Sequence, residues 1–317
     1  GFIVYNQKTY PNFCQLLRQL AVQTQPSEMT FSFVSEVTGL TYAGQALFCQ
    51  KKNRWRLGYY RFLADIIRFN RLASQQRVSL DPSMTLAQFC RKARLGERAI
   101  HDYVIPLTSA IWSTPLDHML EMPAKFVLDF YHNHGLLNTI GLVWGGQEAI
   151  RWRVIEGGSR AYVQALVASL RATVHQGVAV EAIHRTPSGV TLKINGQFER
   201  FDAVVMACHA DQALALFEDA SPVEKRILSG LKTTKNRAVL HTDRQTLPQY
   251  ERAFASWNYI QHPSGHTSLT YYMNRLQSIE APLHYCVSIN HPSIDPKCIL
   301  ASFDYHHPLY DVASHQS

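Results

Sequence analysis

Four constellations in this 317-residue chain have the residue types and spacing to do chemistry. The first is Gly157-Gly158-Ser159. Between a strand and a helix, a glycine pair lets backbone approach a ligand and presents N–H groups where an anion is favoured. The plainer reading is a strand-to-helix turn with Ser159 as its cap. The second is Cys208-His209, at the end of the apolar run Ala203-Val-Val-Met-Ala207. Ligands of open α/β sheets sit beyond the carboxyl ends of strands, which puts Cys208 and His209 at a ligand's edge. No base at a known offset activates Cys208 as a nucleophile, and His209 reads as a polar strand end. The third and fourth are His132-Asn-His134 and His306-His307. An i, i+2 pair faces opposite sides of a strand and does not align on a helix. No carboxylate or cysteine completes a ligand spacing, so no metal is expected. There is no G-x-S-x-G elbow, H-E-x-x-H or Walker loop, and hydrolases and NTPases lose their usual markers.

The elements that would position the first two constellations run from Arg151 to Phe217. The order is strand, glycine pair, helix, strand, hairpin, strand, helix, as in the second half of a dinucleotide-binding fold. The phosphate-gripping G-x-G-x-x-G of a first half occurs nowhere in the chain. Gly1 to Tyr5 reads as a strand, followed by a helix with Thr9 as cap and Pro11 in its first turn. Met29 to Val34 and Leu40 to Ala43 alternate around Thr38-Gly39 and predict a hairpin. Residues 55–134 read as mainly helical, with breaks near Pro82, Pro106, Pro115 and Pro123. From Ser221-Pro222 a helix leads to strands at 238–242, 255–260, 268–273 and 285–289. The expected class is α/β: an incomplete Rossmann-like lobe (1–25 and 151–217) interleaved with a mixed α+β substrate lobe carrying a helical insert (26–150 and 218–290). Residues 291–317 would return toward the first lobe. Segments 1–5, 178–183 and 203–207 are expected side by side in one sheet. Interrupted lobes of this kind commonly hold a cofactor and a substrate between them.

Composition is ordinary for a globular chain, 46% hydrophobic and 17% charged. No apolar run reaches the roughly 18 residues of a membrane span, and Gly1 to Asn6 lacks a signal-peptide pattern. The start without Met and the end at 313–317 suggest an internal fragment of a longer product. Six scattered cysteines, none in C-x-x-C, fit a reducing compartment, the cytoplasm. The charge is local. Residues 51–77 hold eight basic residues against Asp65 alone, which accounts for the whole net +7. Trp55, Tyr59, Tyr60 and Phe62 are interleaved, and Phe62, Ile66 and Phe69 recur at helical spacing. One reading is peripheral contact with an anionic membrane. The other is a helix packed on one face with its arginines in solvent. No recognition motif accompanies the charge, so nucleic acid is not expected as a partner.

These residues also carry a resemblance. Gly1-Phe-Ile-Val-Tyr-Asn6, Thr9-Tyr-Pro-Asn, Trp152-Arg-Val-Ile-Glu-Gly-Gly-Ser-Arg-Ala-Tyr162 and Ala207-Cys-His-Ala-Asp-Gln-Ala213 resemble the flavin-containing amine oxidoreductase superfamily. Within it they resemble the bacterial FAD-dependent group known as "predicted NAD/FAD-binding protein". That group is similar to the flavin domain fused ahead of plant cyclopropane-fatty-acid synthases. Ile111-Trp-Ser-Thr-Pro115, Asn236-Arg-Ala-Val-Leu-His-Thr-Asp243, Ser256-Trp-Asn-Tyr259, Met273-Asn-Arg-Leu-Gln277 and Phe303-Asp-Tyr-His-His-Pro308 extend the match along the chain.

The resemblance implies FAD as cofactor. It lays Gly1, Phe2, Ile3 and Val4 along the flavin and gives Val180 backbone contact with the adenine. It sets Ala207 and Cys208 beside the cofactor and makes Gly157, Gly158 and Ser159 the start of the second cofactor-side helix. The family's dinucleotide loop and acidic ribose ligand would precede Gly1, and its second flavin-contacting segment would follow Ser317. The chain alone is therefore expected to bind FAD poorly and to be inactive, while the full-length protein removes hydride from a C–H or C–N bond. His241, Asn258, Asn274 and Arg275 on the substrate lobe are the catalytic candidates; ordinary hydrogen bonding within that sheet is the alternative for each. A lipid acyl chain ranks slightly ahead of an amine as substrate. The competing class is a non-catalytic flavin-fold remnant, the membrane-associated partner of a lipid-modifying methyltransferase. A nicotinamide-only dehydrogenase fits less well.

Overall fold

The computed structural model describes residues 3–112, 119–138 and 150–308. The chain divides into two compact units, 1–169 with 235–307, and 170–234 with 308–317. Among the described residues no helix is long and apolar enough to cross a membrane.

The first unit is built on a seven-stranded sheet and a three-stranded one. The large sheet has the order β13-β9-β12-β11-β10-β3-β4. Its strands are β3 (Phe31–Ser35), β4 (Leu40–Ala43), β9 (Thr233–His241), β10 (Trp257–Gln261), β11 (Thr267–Tyr272), β12 (Cys286–Ile289) and β13 (Ile299–Pro308). The expected hairpin forms, with Ser35 opposite Leu40. β3 and β10 run parallel with Asn258 opposite Ser32, whereas β10–β11, β11–β12 and β12–β9 are antiparallel.

That register aligns Ser32, Asn258, Thr270 and Ser288 on one face of the large sheet, and His241 joins them diagonally. All five are buried. They form a polar line through the sheet. Ser32 Oγ donates to Asn258 Oδ1 at 2.8 Å, and Asn258 Nδ2 donates to the Thr270 carbonyl at 3.1 Å. Thr270 Oγ1 meets Ser288 Oγ at 2.6 Å, and Ser288 Oγ meets His241 Nε2 at 2.8 Å. Polar groups are tolerated at such depth only when paired.

Helices pack on this sheet and on one another. They are α2 (Leu57–Gln76), α3 (Leu86–Lys92), α4 (Ile105–Trp112) after a π-helical turn at Ile100–Val104, and α5 (Ala124–Asn133). In α2 the apolar face reads Tyr59, Phe62, Leu63, Ile66 and Phe69, all buried, while Arg61, Arg68 and Arg71 face solvent. For the body of α2 the one-face packing reading therefore holds. Phe62 packs edge-on against Tyr42 of β4, and Phe69 against Phe89 and Tyr103.

The small sheet has the order β1-β5-β2, with β1 (Tyr5–Asn6), β2 (Thr24–Pro26) and β5 (Trp152–Ile155). The helix α1 (Pro11–Gln19) packs on it through Cys14 and Leu17. Pro11 does occupy the first turn, but the cap position is Tyr10 and not Thr9. Thr9 is instead drawn to Asn6, whose Oδ1 accepts from Lys8 N, Thr9 N and Thr9 Oγ1. After β5, Gly157 and Gly158 take φ of +75° and +79°, the left-handed region that suits glycine, and turn the chain into α6 (Ser159–Ser169). Gln25 Nε2 and Ser27 Oγ donate to the carbonyls of Gln277 and Leu276 and tie the small sheet to the short helix Met273–Leu276 that follows β11.

The second unit is an antiparallel meander, β6 (Val180–Thr186), β7 (Gly189–Ile194) and β8 (Gln197–Phe201), with helices α7 (Ala210–Leu216) and α8 (Pro222–Gly230). Asn195-Gly196, both at positive φ, close the β7–β8 hairpin. Ser221 and Glu224 form a capping box on α8. Arg185 binds Asp219 and Glu224 and lies over the Phe217 ring.

One expectation is corrected here. The described residues of segments 1–5, 178–183 and 203–207 do not share a sheet. β1 and β6 belong to different sheets, and 203–207 forms no strand, with Val205 89% exposed. An apolar run becomes a strand only where another strand takes up its backbone groups. Among the described residues none does so for 203–207. The unit boundary at 169/170 accordingly falls inside the 151–217 stretch.

Candidate active site

A cavity of ≈ 270 Å³ opens within the first unit, near the lower limit of about 300 Å³ for small-molecule sites. Its walls come from Met29, Thr30 and Phe31 at the start of β3, Gly44 and Gln45 after β4, and Leu107 and Ile111 one turn apart on α4. His134, Gly135 and Leu136 after α5, with Trp152 and Trp257 opening β5 and β10, complete them. The two tryptophans thus bring one wall from each sheet.

Most polar groups in the wall are already engaged. Thr30 Oγ1 accepts from Ser256 N at 3.0 Å, and Gln45 Nε2 donates to the Phe254 carbonyl at 2.8 Å. The Trp257 indole N–H is buried without a partner among the described residues. No Asp, Glu, Lys or Arg lines the cavity among the described residues.

His134 is the titratable group of the wall among the described residues. α5 ends there because Gly135 follows at φ +68°, a left-handed helix stop. A Cβ on Gly135 would also come within 3.3 Å of Ile150. The imidazole stacks on Phe130 at 3.8 Å and lies nearly parallel to Trp152 at 5.8 Å. His134 Nδ1 lies 2.8 Å from the Phe130 carbonyl, which can only accept, so Nδ1 carries the proton. Nε2 then offers its lone pair to the Tyr10 hydroxyl, 3.2 Å away. Burial lowers the His134 pKa, opposed by the bond to Phe130, and burial raises that of Tyr10. At neutral pH the pair is an uncharged phenol donating to an uncharged imidazole. It can take up a proton at Nε2 or relay one through the Tyr10 oxygen.

The catalytic candidates from the sequence lie elsewhere. His241 and Asn258 belong to the buried polar line. His241 Nδ1 accepts from Asp243 N at 3.1 Å, which leaves Nε2–H for Ser288, and burial lowers its pKa. Asn258 uses both ends of its amide, adding bonds to Ala255 N and the Ala255 carbonyl. Asn274 holds a turn, its Nδ2 donating to the Ile279 and Leu283 carbonyls and its Oδ1 accepting from Tyr285 N. Arg275 pairs with Glu28 at 3.4 Å. None of the four lines the cavity.

Of the cofactor candidates, Gly1 and Phe2 lie outside the described residues. Ile3, Val4, Gly157, Gly158 and Ser159 belong to the first unit; Val180, Ala207 and Cys208 belong to the second, where Ala207 and Cys208 are exposed. Beside Ile3 and Val4, the Asn6 Nδ2 is buried and has no partner among the described residues. Sequence reasoning missed Trp152, Trp257 and His134 as a group. The first two stand inside the quoted motifs, and His134 stands in a histidine pair whose spacing speaks only to metal binding. Among the described residues no three His, Cys, Asp or Glu side chains gather around a metal-sized point.

Residues 1–258 match the model of the family described as flavin containing amine oxidoreductase, and the chain belongs to that family of FAD-dependent oxidoreductases. Solved structures share its mixed α/β fold. A CLA-producing fatty acid isomerase from P. acnes superposes with a TM-score of 0.66 at 14% identity, over 100% of this chain and 76% of that one. Cyclohexylamine oxidase from Brevibacterium oxydans IH-35A gives 0.60 at 13%, over 96% and 72%. An oxidoreductase from Methanosarcina mazei gives 0.61 at 12%, over 98% and 77%. A comparison with curated protein sequences finds no match.

Proposed function

We propose that this chain carries the substrate side of an FAD-dependent oxidoreductase that takes hydride from a C–H bond of an uncharged lipid acyl chain. The observation that carries this reading is the cavity wall, with indoles and aliphatic side chains and no charged residue among those described. One of the similar structures is named for a fatty acid, which supports the same substrate class.

Two features fit the cofactor. Asn6 has a buried amide donor without a partner among the described residues, and the glycine pair opens α6 at positive φ. Ile3, Val4, Asn6, Gly157, Gly158 and Ser159 would hold part of it; Val180, Ala207, Cys208, Gly1 and Phe2 are assigned by the family resemblance. When bound, the flavin supplies the hydride acceptor. The chain's own residues do the rest. Trp152, Trp257 and Phe31 grip an apolar chain and exclude water, and His134 holds or passes a proton between Nε2 and the Tyr10 oxygen.

The test is ligand binding read by quenching of indole fluorescence, with Trp152→Phe and Trp257→Phe to assign the signal. An unsaturated fatty acid and its methyl ester are compared with linear and cyclic alkylamines. Flavin bleaching by the same ligands, without oxygen, follows with FAD added in excess. Quenching and bleaching by amines only would remove the acyl reading.

A further inference from the structure

We propose that residues 51–61 form a tip that docks on an anionic lipid surface. The chain makes a 3-10 turn at Lys51–Trp55 and passes into α2. The turn is firmly held. Asn53 is buried and donates from Nδ2 to Gln50 Oε1 at 3.2 Å, while Tyr59 donates its hydroxyl to the Leu47 carbonyl. Tyr60 reaches back to the Arg54 carbonyl at 3.1 Å, which keeps its ring on the same tip.

What this turn turns outward is unusual. Trp55 is 89% exposed, Leu57 69% and Tyr60 47%. Around them stand Lys51, Lys52, Arg54, Arg56 and Arg61, with no acidic residue before Asp65. The ion pairs of the wider segment, Arg68–Asp65 and Arg77–Asp129, lie further along. None of the five tip cations forms an ion pair among the described residues.

Unpaired cations flanking an exposed indole, a phenol and an isobutyl group match a phosphate-bearing interface with hydrocarbon beneath it. Tryptophan and tyrosine favour the headgroup level, and lysine and arginine favour anionic lipid. A nucleic acid would use the same cations and could stack on Trp55, but it offers nothing to Leu57. The inference is independent of the cavity reading.

Co-sedimentation of the 317-residue chain with vesicles tests it, using pure phosphatidylcholine and a mixture with one-quarter phosphatidylglycerol. Binding is expected only to the anionic vesicles, with weakening at high salt and a blue shift of fluorescence that Trp55→Phe removes. Each tip cation near such a surface contributes about five-fold in affinity. Lys51→Gln with Lys52→Gln should therefore weaken binding about 30-fold, and Trp55→Ala with Leu57→Ser should abolish the blue shift. These side chains are exposed, so circular dichroism and the melting temperature should not move. Trp152→Phe should leave vesicle binding intact, which separates this result from the fate of the cavity reading. Equal binding to neutral vesicles, indifference to the tip substitutions, or preference for a polyuridylate competitor would each overturn the proposal.

Discussion

Asn258→Leu decides between structure and site for a wholly buried candidate. Asn258 is wholly buried and makes bonds of 2.8 Å to Ser32, 3.0 and 2.6 Å to the two backbone groups of Ala255, and 3.1 Å to the Thr270 carbonyl. Leucine keeps the approximate shape and removes every one of them. The Ser32 hydroxyl can turn, but Ala255 N–H and C=O cannot. A buried polar group left unpaired costs about 1–3 kcal/mol, so two cost about 2–6 kcal/mol. The added apolar side chain returns about 1–2 kcal/mol of this. The expected net loss is about 3 kcal/mol, a large part of the roughly 5–15 kcal/mol that holds a folded protein together. Urea denaturation followed by circular dichroism and indole fluorescence reads it as a lower midpoint at unchanged slope. Ser32→Ala, which removes one donor and leaves Asn258 its other bonds, should lose only about 1 kcal/mol. An Asn258→Leu protein of undiminished stability but altered ligand binding would refute the structural assignment.

Three further outcomes are expected. Burial lowers the pKa of His241 and His134, and desolvation with His262 nearby lowers that of His291 to about 4. Unfolded histidines titrate near 6.5, so the unfolded chain binds more protons in between. Stability is then full above about pH 6.5 and falls as the pH drops toward 4. His291→Asn should flatten part of that slope in urea titrations at a series of pH values; an unchanged slope contradicts it. Cys208 is exposed, whereas burial raises the thiols of Cys90 and Cys286 to about 12. A thiol reagent should therefore modify Cys208 fast in the native protein and those two only on unfolding, and Cys208→Ser should delete the fast phase. Finally, G-x-G-x-x-G is missing from the 317 residues, and the chain purified alone should carry well under one FAD per polypeptide by its flavin absorbance. A stoichiometric yellow protein would contradict that.

Local signals in the sequence were legible because local physics decides them. Alternation and Gly39 marked the β3–β4 hairpin, Ser221 with Pro222 marked α8, and Pro11 marked the first turn of α1. Residues 203–207 misled because an apolar run shows burial propensity and says nothing about a partner strand. His241 and Asn258 stood out as polar residues on apolar strands. Bonding within the sheet is the alternative their residue types already offer, and the register, which places Ser32, Thr270 and Ser288 beside them, supplies the partners. The cavity was out of reach for a related reason. Its walls join residues as distant as Met29 and Trp257, and no spacing rule connects them. His134 carried one usable hint, the glycine that stops α5 directly behind it.

The choice between acyl chain and amine rests on the charge a substrate brings into that cavity. A primary alkylamine with a pKa near 10.4 is cationic at pH 7, and entering as the neutral base costs about 4.6 kcal/mol. Entering as the cation means giving up water with no carboxylate among the described wall residues to receive it. The indole faces of Trp152 and Trp257 return some of this, about 2 kcal/mol for a desolvated cation over a ring. His134, held neutral by burial, adds no negative charge. An uncharged acyl ester meets none of these penalties and gains about 0.8 kcal/mol for each methylene buried. Affinity for the ester should therefore be flat between pH 7 and 9, while an amine that binds as the neutral base should tighten about ten-fold per pH unit. An amine that binds at pH 7 as tightly as an ester of equal carbon number, with no pH dependence, would show that the aromatic walls receive the cation directly and would remove the electrostatic basis for the acyl substrate.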